Sequence, residues 1–545
     1  MNIGESEPFL RVPPFPGANV ASIRGPGSVA GDRRVPSVET ALGEIAKLRV
    51  GGEYWAKQPE LPCEPFTLVR TLMPVEAFPT LEAAEPVLFW TDQPSANVPS
   101  VGKEVGRLWG ACDPWYVLDN ARRIIVDGDD ELVLIAAING IPVACVAPGR
   151  YSSVTSREAA AAYLSDQTYV NPYSGAPMNV MEAAALCGFW RKLIDSNREI
   201  TSAFGFAFWK QPTVAPLLWA GEDPVPFKTA LSSADSDGEI AVWKSRTPTD
   251  VLARIEREAD AVLEVEDGFI RSVGLGSDCV PPLSIVVDRL GVHFDPAKPS
   301  ELENLLQNGA FDSGTLQRAR DLRELIVEVG VSKYGSGSAK LEAREPNRHY
   351  VLVPGQVEDD RAVLCGAQAV AGNLDLLRRV REQRPDACII YKPHPDVEAG
   401  HRIGAVEDRE ALALADEIVR DQPISALIDY VDELHVNTSL AGFEALLRKK
   451  PVTAHGVPFY AGWGLTTDLG PVPARRSAKR SLDELVAAVL LTYPRYLDPV
   501  TGLPCPPEIL IRRIAEGAAG RQSHGVVKLR RLQGRWKKRL AGIKA

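Results

Sequence analysis

Residues 433–456, ELHVNTSLAGFEALLRKKPVTAHG, decide the fold class. A short apolar run, Leu434 to Val436, is followed by Thr438-Ser439, hydroxyl residues suited to a helix start. A helical run carrying Glu444 comes next, and a second apolar run opens at Pro451. Strand, helix, strand in that order makes the two strands parallel members of one sheet. The alternation extends outward, to HYVLVPG (349–355) and ACIIYKP (387–393) upstream. It recurs between residues 200 and 335 in ITSAFGFAFW (200–209), EIAVWK (239–244) and AVLEVEDG (261–268), with a helical run from Pro248 to Ala259. Two α/β halves with parallel sheets are expected.

Two short motifs sit where those strands end. Glu266-Asp267-Gly268 opens EDGFIRSVGLG, and Lys392-Pro393-His394-Pro395 closes ACIIYKPHP. Alone, the first is the composition of a solvated turn and the second of a strand-ending turn. Together they fit sugar transfer from a nucleoside monophosphate. Breaking that bond builds positive charge at the anomeric carbon and negative charge on the phosphate, so a carboxylate is needed at one end and a His at the other. Like-charge repulsion within the acid pair is expected to raise the pKa of one carboxyl.

Thr438 and Ser439, at the N-terminus of a helix, form an anion site suited to a phosphate. Glu444 is placed to accept hydrogen bonds from ribose hydroxyls or, on spacing alone, to pair with Arg448 at i+4. VLVPGQVEDD (351–360) puts Gln356 and Asp359 just after a strand, where open α/β sheets bind ligands. GVPFYAGWGLTTD (456–468), rich in Gly and aromatics, is expected to be an ordered loop bordering a site.

From about residue 200 to about residue 515 these motifs resemble the capsule polysaccharide biosynthesis proteins of the KpsC/LipB family, with EDGFIRSVGLGSDCVPPLSIVVDRLG, VLVPGQVEDD, IIYKPHPDVEAG and TSLAGFEALLRKKPVTAHGVPFYAGWGLTTD in order. The family comprises retaining β-Kdo glycosyltransferases that use CMP-Kdo to build the Kdo linker between phospholipid and capsular polysaccharide in Gram-negative bacteria. The acid-acid-Gly and His-Pro motifs are also similar to those of bacterial sialyltransferases. The resemblance implies a GT-B-like fold, two Rossmann-type domains facing across a cleft, with Asp267 and its neighbour Glu266 on the catalytic side. Asp267 is the candidate nucleophile, general base being its second possible role. It further implies His394, in His394-Pro395, at the CMP phosphate, Lys392, Thr438 and Ser439 around that phosphate, Glu444 at the ribose and Gln356 near the donor. Gly268, Arg271 and Ser272 are expected at the sugar or acceptor, Arg271 pairing with the Kdo carboxylate. Where relatives read Lys-Tyr-Asn this chain has Lys333-Tyr334-Gly335. Two other functions fit the resemblance: a CMP-sugar transferase for another keto-sugar acid or a lipopolysaccharide acceptor, and a non-catalytic capsule assembly partner. Asp267 and His394 weigh against the last.

At 545 residues more than one domain is expected. A first half spanning 196–340 supplies the acceptor side, and a second, 341–520, binds the CMP-sugar and ends in closing helices. A net charge of −10 excludes wholesale nucleic-acid binding. No run approaches a membrane-spanning helix, and the N-terminus lacks a signal-peptide pattern, so a cytoplasmic location is expected. The eight cysteines show no paired spacing; they read as reduced thiols, with no zinc site. No metal or other cofactor is expected, since a donor with one phosphate needs no metal clamp. Residues 521–545 form a basic tail whose Leu529, Leu532, Trp536, Leu540 and Ile543 recur at helical spacing, suited either to anionic lipid at the inner membrane or to a solubilising end. A glycolipid acceptor and capsule assembly and export proteins complete the expected partners.

An internal repeat organises the N-terminal third. NPYSGAPMNVMEAAALC (171–187) resembles DPVTGLPCPPEILIRRI (498–514). DGDDELVLIAAINGIPVACVAPGRY (127–151) overlays NTSLAGFEALLRKKPVTAHGVPFY (437–460) with Pro142 on Pro451. Asp129 and Asp130 then replace Thr438 and Ser439, Ile135 replaces Glu444, and two carboxylates would repel a phosphate. Residues 61–195 are therefore expected to be a degenerate remnant of a second transferase module, its Asp127-Gly128-Asp129-Asp130 run not a metal motif. Residues 1–60, punctuated by Pro13-Pro14, Pro16-Gly17 and Gly25-Pro26-Gly27, read as a loosely structured leader.

Overall fold

Apolar runs that the sequence places after polar turns become buried parallel strands. The computed structural model describes residues 8–20, 23, 38–71, 73, 79, 81–94, 101–232, 237–271, 280–332, 335–336, 344–367, 370–400 and 402–518. Two compact units divide the chain, one of residues 1–199, 218–224 and 501–503, the other of residues 200–217, 225–500 and 504–545.

The first unit is built on β1 (Phe66–Arg70), β2 (Pro86–Thr91), β3 (Lys103–Trp109), β4 (Ala121–Asp127) and β5 (Val143–Ala147). They form one parallel sheet in the order β3-β2-β1-β4-β5. Helix Leu132–Asn139 joins β4 to β5, and its end is capped by Gly140 in the left-handed conformation. At its N-terminus the Asp130 carboxylate accepts from Leu132 N (2.9 Å) and pairs with Arg70 (3.1 Å), while Asp129 accepts from Arg150 N (2.7 Å). Carboxylates thus occupy the helix end that the overlay matches to Thr438-Ser439. The 171–187 segment forms the hairpin β6 (Tyr169–Val170) and β7 (Pro177–Met178), followed by helix Val180–Asp195.

The expectation of a loose leader over residues 1–60 is corrected for the described residues. Phe9, Leu10, Val12 and Phe15 are buried, and helix Val38–Leu48 buries Leu42 and Ile45. Gly51, at φ +114°, lets the Phe9 ring lie where a Cβ would stand, 2.2 Å from its nearest carbon. Proline and glycine here shape ordered turns between apolar anchors, and spacing alone could not reveal what those anchors pack on.

The second unit contains β8 (Ile200–Phe204), β9 (Phe227–Lys228), β10 (Glu239–Val242), β11 (Ala261–Asp267) and β12 (Ser284–Asp288). A small hairpin follows, β13 (Val331–Ser332) and β14 (Gly335–Ser336). Then come β15 (Tyr350–Pro354), β16 (Cys388–Lys392), β17 (Glu417–Ile418), β18 (Glu433–Val436), β19 (Val452–Ala454) and β20 (Thr467–Asp468), and last β21 (Pro494–Leu497) and β22 (Pro504–Cys505). One sheet runs β22-β21-β12-β11-β10-β8-β9 and the other β17-β16-β15-β18-β19-β20.

The second of these sheets is wholly parallel. In order of appearance along the chain its strands run 3-2-1-4-5-6, which repeats the 3-2-1-4-5 of the first unit. Val351, Val353, Ile389 and Tyr391 pack with Leu376, Leu377 and Val380 of helix Asn373–Gln383 in its core. The first of the two sheets is mixed rather than parallel throughout. From β9 to β11 it is parallel, but β12 returns antiparallel to β11, with Gly268 N donating to Ser284 O (3.0 Å) and Leu283 N to Arg271 O (2.7 Å). Residues 341–520 do not all stay with the second sheet, because β21 pairs with β12 and β22 with β21. The 498–514 segment repeats the pattern of 171–187, a hairpin and then helix Pro507–Ala515. Among the described residues no helix is long and apolar enough to cross a membrane, and the basic tail 521–545 lies outside them. Seven described cysteines are free thiols.

Candidate active site

The carboxyl ends of β11, β15, β16 and β18 open onto one cavity of about 580 Å³ in the second unit. Backbone groups and loop side chains converge at such strand ends, which makes them the usual binding edge of α/β sheets. Glu266, Asp267, Gly268, Gln356, Lys392, His394, Pro395, Thr438, Ser439 and Glu444 all line the cavity. Of the other residues selected from sequence, Asp359 pairs with Arg402 (3.0 Å) and is not among the lining residues, Ser272 lies outside the described residues, and Arg271 is buried behind Asp267.

Asp267 ends β11 with its side chain 27% exposed. Its Oδ2 accepts from Arg271 Nε (2.7 Å) and its Oδ1 from Lys210 Nζ (3.4 Å). Arg271, expected at a substrate carboxylate, holds Asp267 in this structure. Arg271 is 1% exposed, grips Asp267 and donates to Val280 O (2.9 Å), because a guanidinium four residues beyond a strand-end acid folds back on it. Lys210, 8% exposed, lies with its ammonium 3.0 Å from the centroid of the Trp243 ring. Sequence reading missed this residue; its signal was a lysine in FWKQP, just past the end of a parallel strand.

Successive residues of a strand point to opposite faces, so Glu266 takes a different ion-pair partner from Asp267. Arg361, from helix Arg361–Gly366, reaches both Glu266 (2.7 Å) and Glu264 (2.6 Å). Glu264 also pairs with Lys244 (3.0 Å). Burial above all, with Asp267 and Glu264 adding repulsion against the pull of Arg361 and Lys210, pushes Glu266 up to about 8. The expected rise within the acid pair is present, with burial rather than the neighbouring charge as its main cause.

His394 caps the short helix Pro395–Glu398, its Nδ1 accepting from Asp396 N (3.1 Å). With Nδ1 an acceptor, the neutral ring carries its proton on Nε2. Lys392 is buried, its Nζ donating to Arg420 O (3.0 Å), and burial lowers its pKa. The side-chain amide of Gln356 clasps the backbone and hydroxyl of Thr438: Nε2 donates to Thr438 Oγ1 (3.0 Å) and Oε1 accepts from Thr438 N (2.9 Å). Ser439 caps helix Leu440–Leu447 through Ala441 N (3.2 Å), and Glu444 is buried one turn further on. Arg448, the alternative partner for Glu444, goes to Asp429 (3.0 Å) and to the Glu444 carbonyl (3.1 Å).

The Gly-rich loop 456–468 borders the cavity through Pro458 and Phe459. Tyr460, fully buried, donates to Ser439 O, and the Phe459 ring packs against Phe269 (4.8 Å) and His293 (5.7 Å). An acidic end, a His-bearing end with a helix N-terminus, and an aromatic wall make a site able to hold a nucleotide phosphate beside a reacting carbon.

Residues 238–336 and 335–496 match the family model of the capsule polysaccharide biosynthesis proteins. Over 347 residues the chain is 41% identical to the capsule polysaccharide modification protein LipA of Neisseria meningitidis serogroup B (strain ATCC BAA-335 / MC58), which covers 63% of this chain and 49% of LipA. Over 236 residues it is 47% identical to the lipopolysaccharide-processing protein LpsZ of Rhizobium meliloti, 43% of this chain and 53% of LpsZ. The solved structure of Thermosulfurimonas dismutans KpsC, β-Kdo 2,4 transferase, is 31% identical with a TM-score of 0.51 and aligns with 58% of this chain and 98% of that chain. The chain belongs to the capsule polysaccharide biosynthesis protein family. It spans about half the length of the curated relatives it matches. All ten cavity-lining residues selected from sequence lie inside the span matched by the capsule polysaccharide biosynthesis model, and Lys210 lies before it.

Proposed function

We propose that this protein is a retaining β-Kdo transferase that moves Kdo from CMP-Kdo onto a Kdo-primed glycolipid during capsule assembly. The observation that carries the reading is the convergence of Asp267 with His394 and the N-terminus of helix Leu440–Leu447 on one cavity. The two sheets of the second unit then act as the facing halves of a GT-B site. In the first step an Asp267 oxygen bonds to the anomeric C2 of Kdo as the C2–O(phosphate) bond breaks, and the electron pair leaves on the CMP phosphate. His394 Nε2–H, Lys392 and the helix N-terminus stabilise that charge, and Glu444 holds the ribose. In the second step the acceptor hydroxyl oxygen bonds to C2, the C2–O(Asp267) bond breaks, and the Asp267 carboxylate recovers its pair. The hydroxyl proton passes to ionised Glu266, whose pKa near the working pH suits proton transfer. Two displacements at one carbon retain configuration. No step calls on a metal or other cofactor. The acceptor lipid sets the place of reaction, the cytoplasmic face of the inner membrane, where capsule assembly and export proteins would be neighbours.

The test is CMP release and product mass with CMP-Kdo and a Kdo-primed glycolipid, for the parent, Asp267→Ala and His394→Ala. Kdo transfer by the parent that both substitutions abolish is the expected outcome. A folded parent that leaves CMP-Kdo unturned, with and without acceptor, refutes the donor assignment.

A further inference from the structure

We propose that Lys210 is the positioning residue that fits this site to donors whose anomeric carbon itself bears a carboxylate. The inference rests on the proposed transfer and adds to it the reason for the substrate class. In an ulosonic acid such as Kdo, the carboxylate is bonded directly to the carbon that Asp267 must approach. An anionic Asp267 and an anionic substrate group within one bond of the reacting atom repel strongly in a half-buried site. A neutral aldose donor sets no such problem.

The charges around Asp267 answer it. Arg271 is the committed counter-ion of Asp267, fully buried, 2.7 Å from Oδ2 and also bonded to Val280 O. Lys210 is a second cation on the same carboxylate, 3.4 Å from Oδ1. Glu266, the second carboxylate near Lys210, is paired with Arg361 (2.7 Å), and Glu264 with Lys244 (3.0 Å), so Arg271 and Lys210 together leave a positive charge beside Asp267, which the substrate carboxylate balances when it arrives. That charge is held in place rather than solvated. Lys210 is buried, its ammonium lies against the Trp243 ring (3.0 Å to the centroid) and nearer to it than to Trp209 (5.4 Å), and its carbonyl is tied to Thr213 Oγ1 (3.1 Å). The other cations at the end of β11 cannot supply it, because Arg361 is held by Glu264 and Glu266 and Lys244 by Glu264 (3.0 Å). Lys210 does not line the cavity and acts through Asp267.

The charged groups facing Lys210 are Asp267 and Glu266 on β11 and Arg271 just beyond it. Burial outweighs the pull of Asp267, and Arg271 adds to it, so the ammonium is brought down to about 8. Its charge is present below that pH and lost above it.

The experiment compares the parent with Lys210→Met and Lys210→Arg for CMP-Kdo turnover between pH 6 and 9.5, with a melting curve for each. The Met variant should melt near the parent and lose about 10²–10³-fold in kcat/KM, the range for removing one preorganised electrostatic contact. The Arg variant should keep activity to within about tenfold, and the alkaline fall that the parent shows should move to higher pH, since a guanidinium does not titrate there. A Met variant within about fivefold of the parent, or an Arg variant with the parent's alkaline limb, overturns the inference while leaving the transferase reading intact. A parent inactive on CMP-Kdo sinks the donor assignment instead. The inference is then decided by ligand-observed NMR with Kdo and N-acetylneuraminic acid against their methyl esters. A preference for the acids that Lys210→Met abolishes supports it, and absence of that preference in the parent refutes it.

Discussion

Replacing His394 with Asn separates the two jobs its ring performs. Nδ1 caps helix Pro395–Glu398 by accepting from Asp396 N at 3.1 Å, and that bond leaves the ring proton on Nε2. An Asn side chain presents an acceptor oxygen at the same δ position, so the cap survives, but it has no atom where Nε2 stands. Loss of a cap costs about 1 kcal/mol of stability, and loss of one donor aimed at developing charge costs about 10²–10³ in kcat, roughly 2.7–4 kcal/mol of barrier. His394→Asn should therefore melt within a degree or two of the parent, about the effect of 0.5 kcal/mol in a chain this large, yet release CMP some two to three orders of magnitude more slowly. His394→Gln makes the opposite exchange: its amide nitrogen reaches the ε position and its cap is lost, so it should be the more active and the less stable of the two. Continuous CMP-release kinetics at saturating CMP-Kdo, paired with calorimetric unfolding, reads both quantities. An Asn variant within about fivefold of the parent rate, or one that melts as low as Gln, refutes the division of labour.

Gly268→Ala should destabilise the protein and slow it together. The added Cβ would stand 2.3 Å from Ser284 Oγ and 2.8 Å from Ser284 Cβ, inside a fully buried contact directly beside Asp267. A cost of about 1–3 kcal/mol is expected for such overpacking, and unchanged melting and rate would contradict the close approach. Acid stability should follow His455, which contacts His435 at 3.1 Å and whose pKa is lowered to about 4, chiefly by burial. The depressed folded-state value means its contribution is complete above the unfolded pKa near 6.5 and is lost as pH falls toward 4, at most about 3 kcal/mol. Glu433, held at about 2 against its burial by His435 and Arg384, loses its contribution only below the ordinary carboxylate range. Urea unfolding between pH 6.5 and 4.5 should thus show a slope that His455→Asn flattens, and an equal slope in both proteins argues against it.

The parts of the site that could be read from the chain are those whose position is a local consequence of sequence. Asp267, His394, Gln356 and Thr438 each stand within three residues of the end of a strand, and apolar runs between polar turns reveal strand ends without knowledge of neighbours. Lys210 and Arg361 could not be read that way. Lys210 is 57 residues from Asp267 and Arg361 is 95 from Glu266, so only folding brings these charges into contact. The same distinction explains the leader: Phe9 and Gly51 look like loop residues until the one fills the space left by the other.

By itself the sequence determined the strand–helix alternation, the residues at the carboxyl edge of the strands, and the repeat linking 127–151 to 437–460. All three follow from short-range periodicity and chain order. Tertiary structure alone decided that β12 runs antiparallel, that β21 and β22 return to the sheet of β11, and which cation serves which carboxylate. Sheet edges and buried charges choose partners by geometry and desolvation, and neither quantity is carried by residues adjacent in the chain.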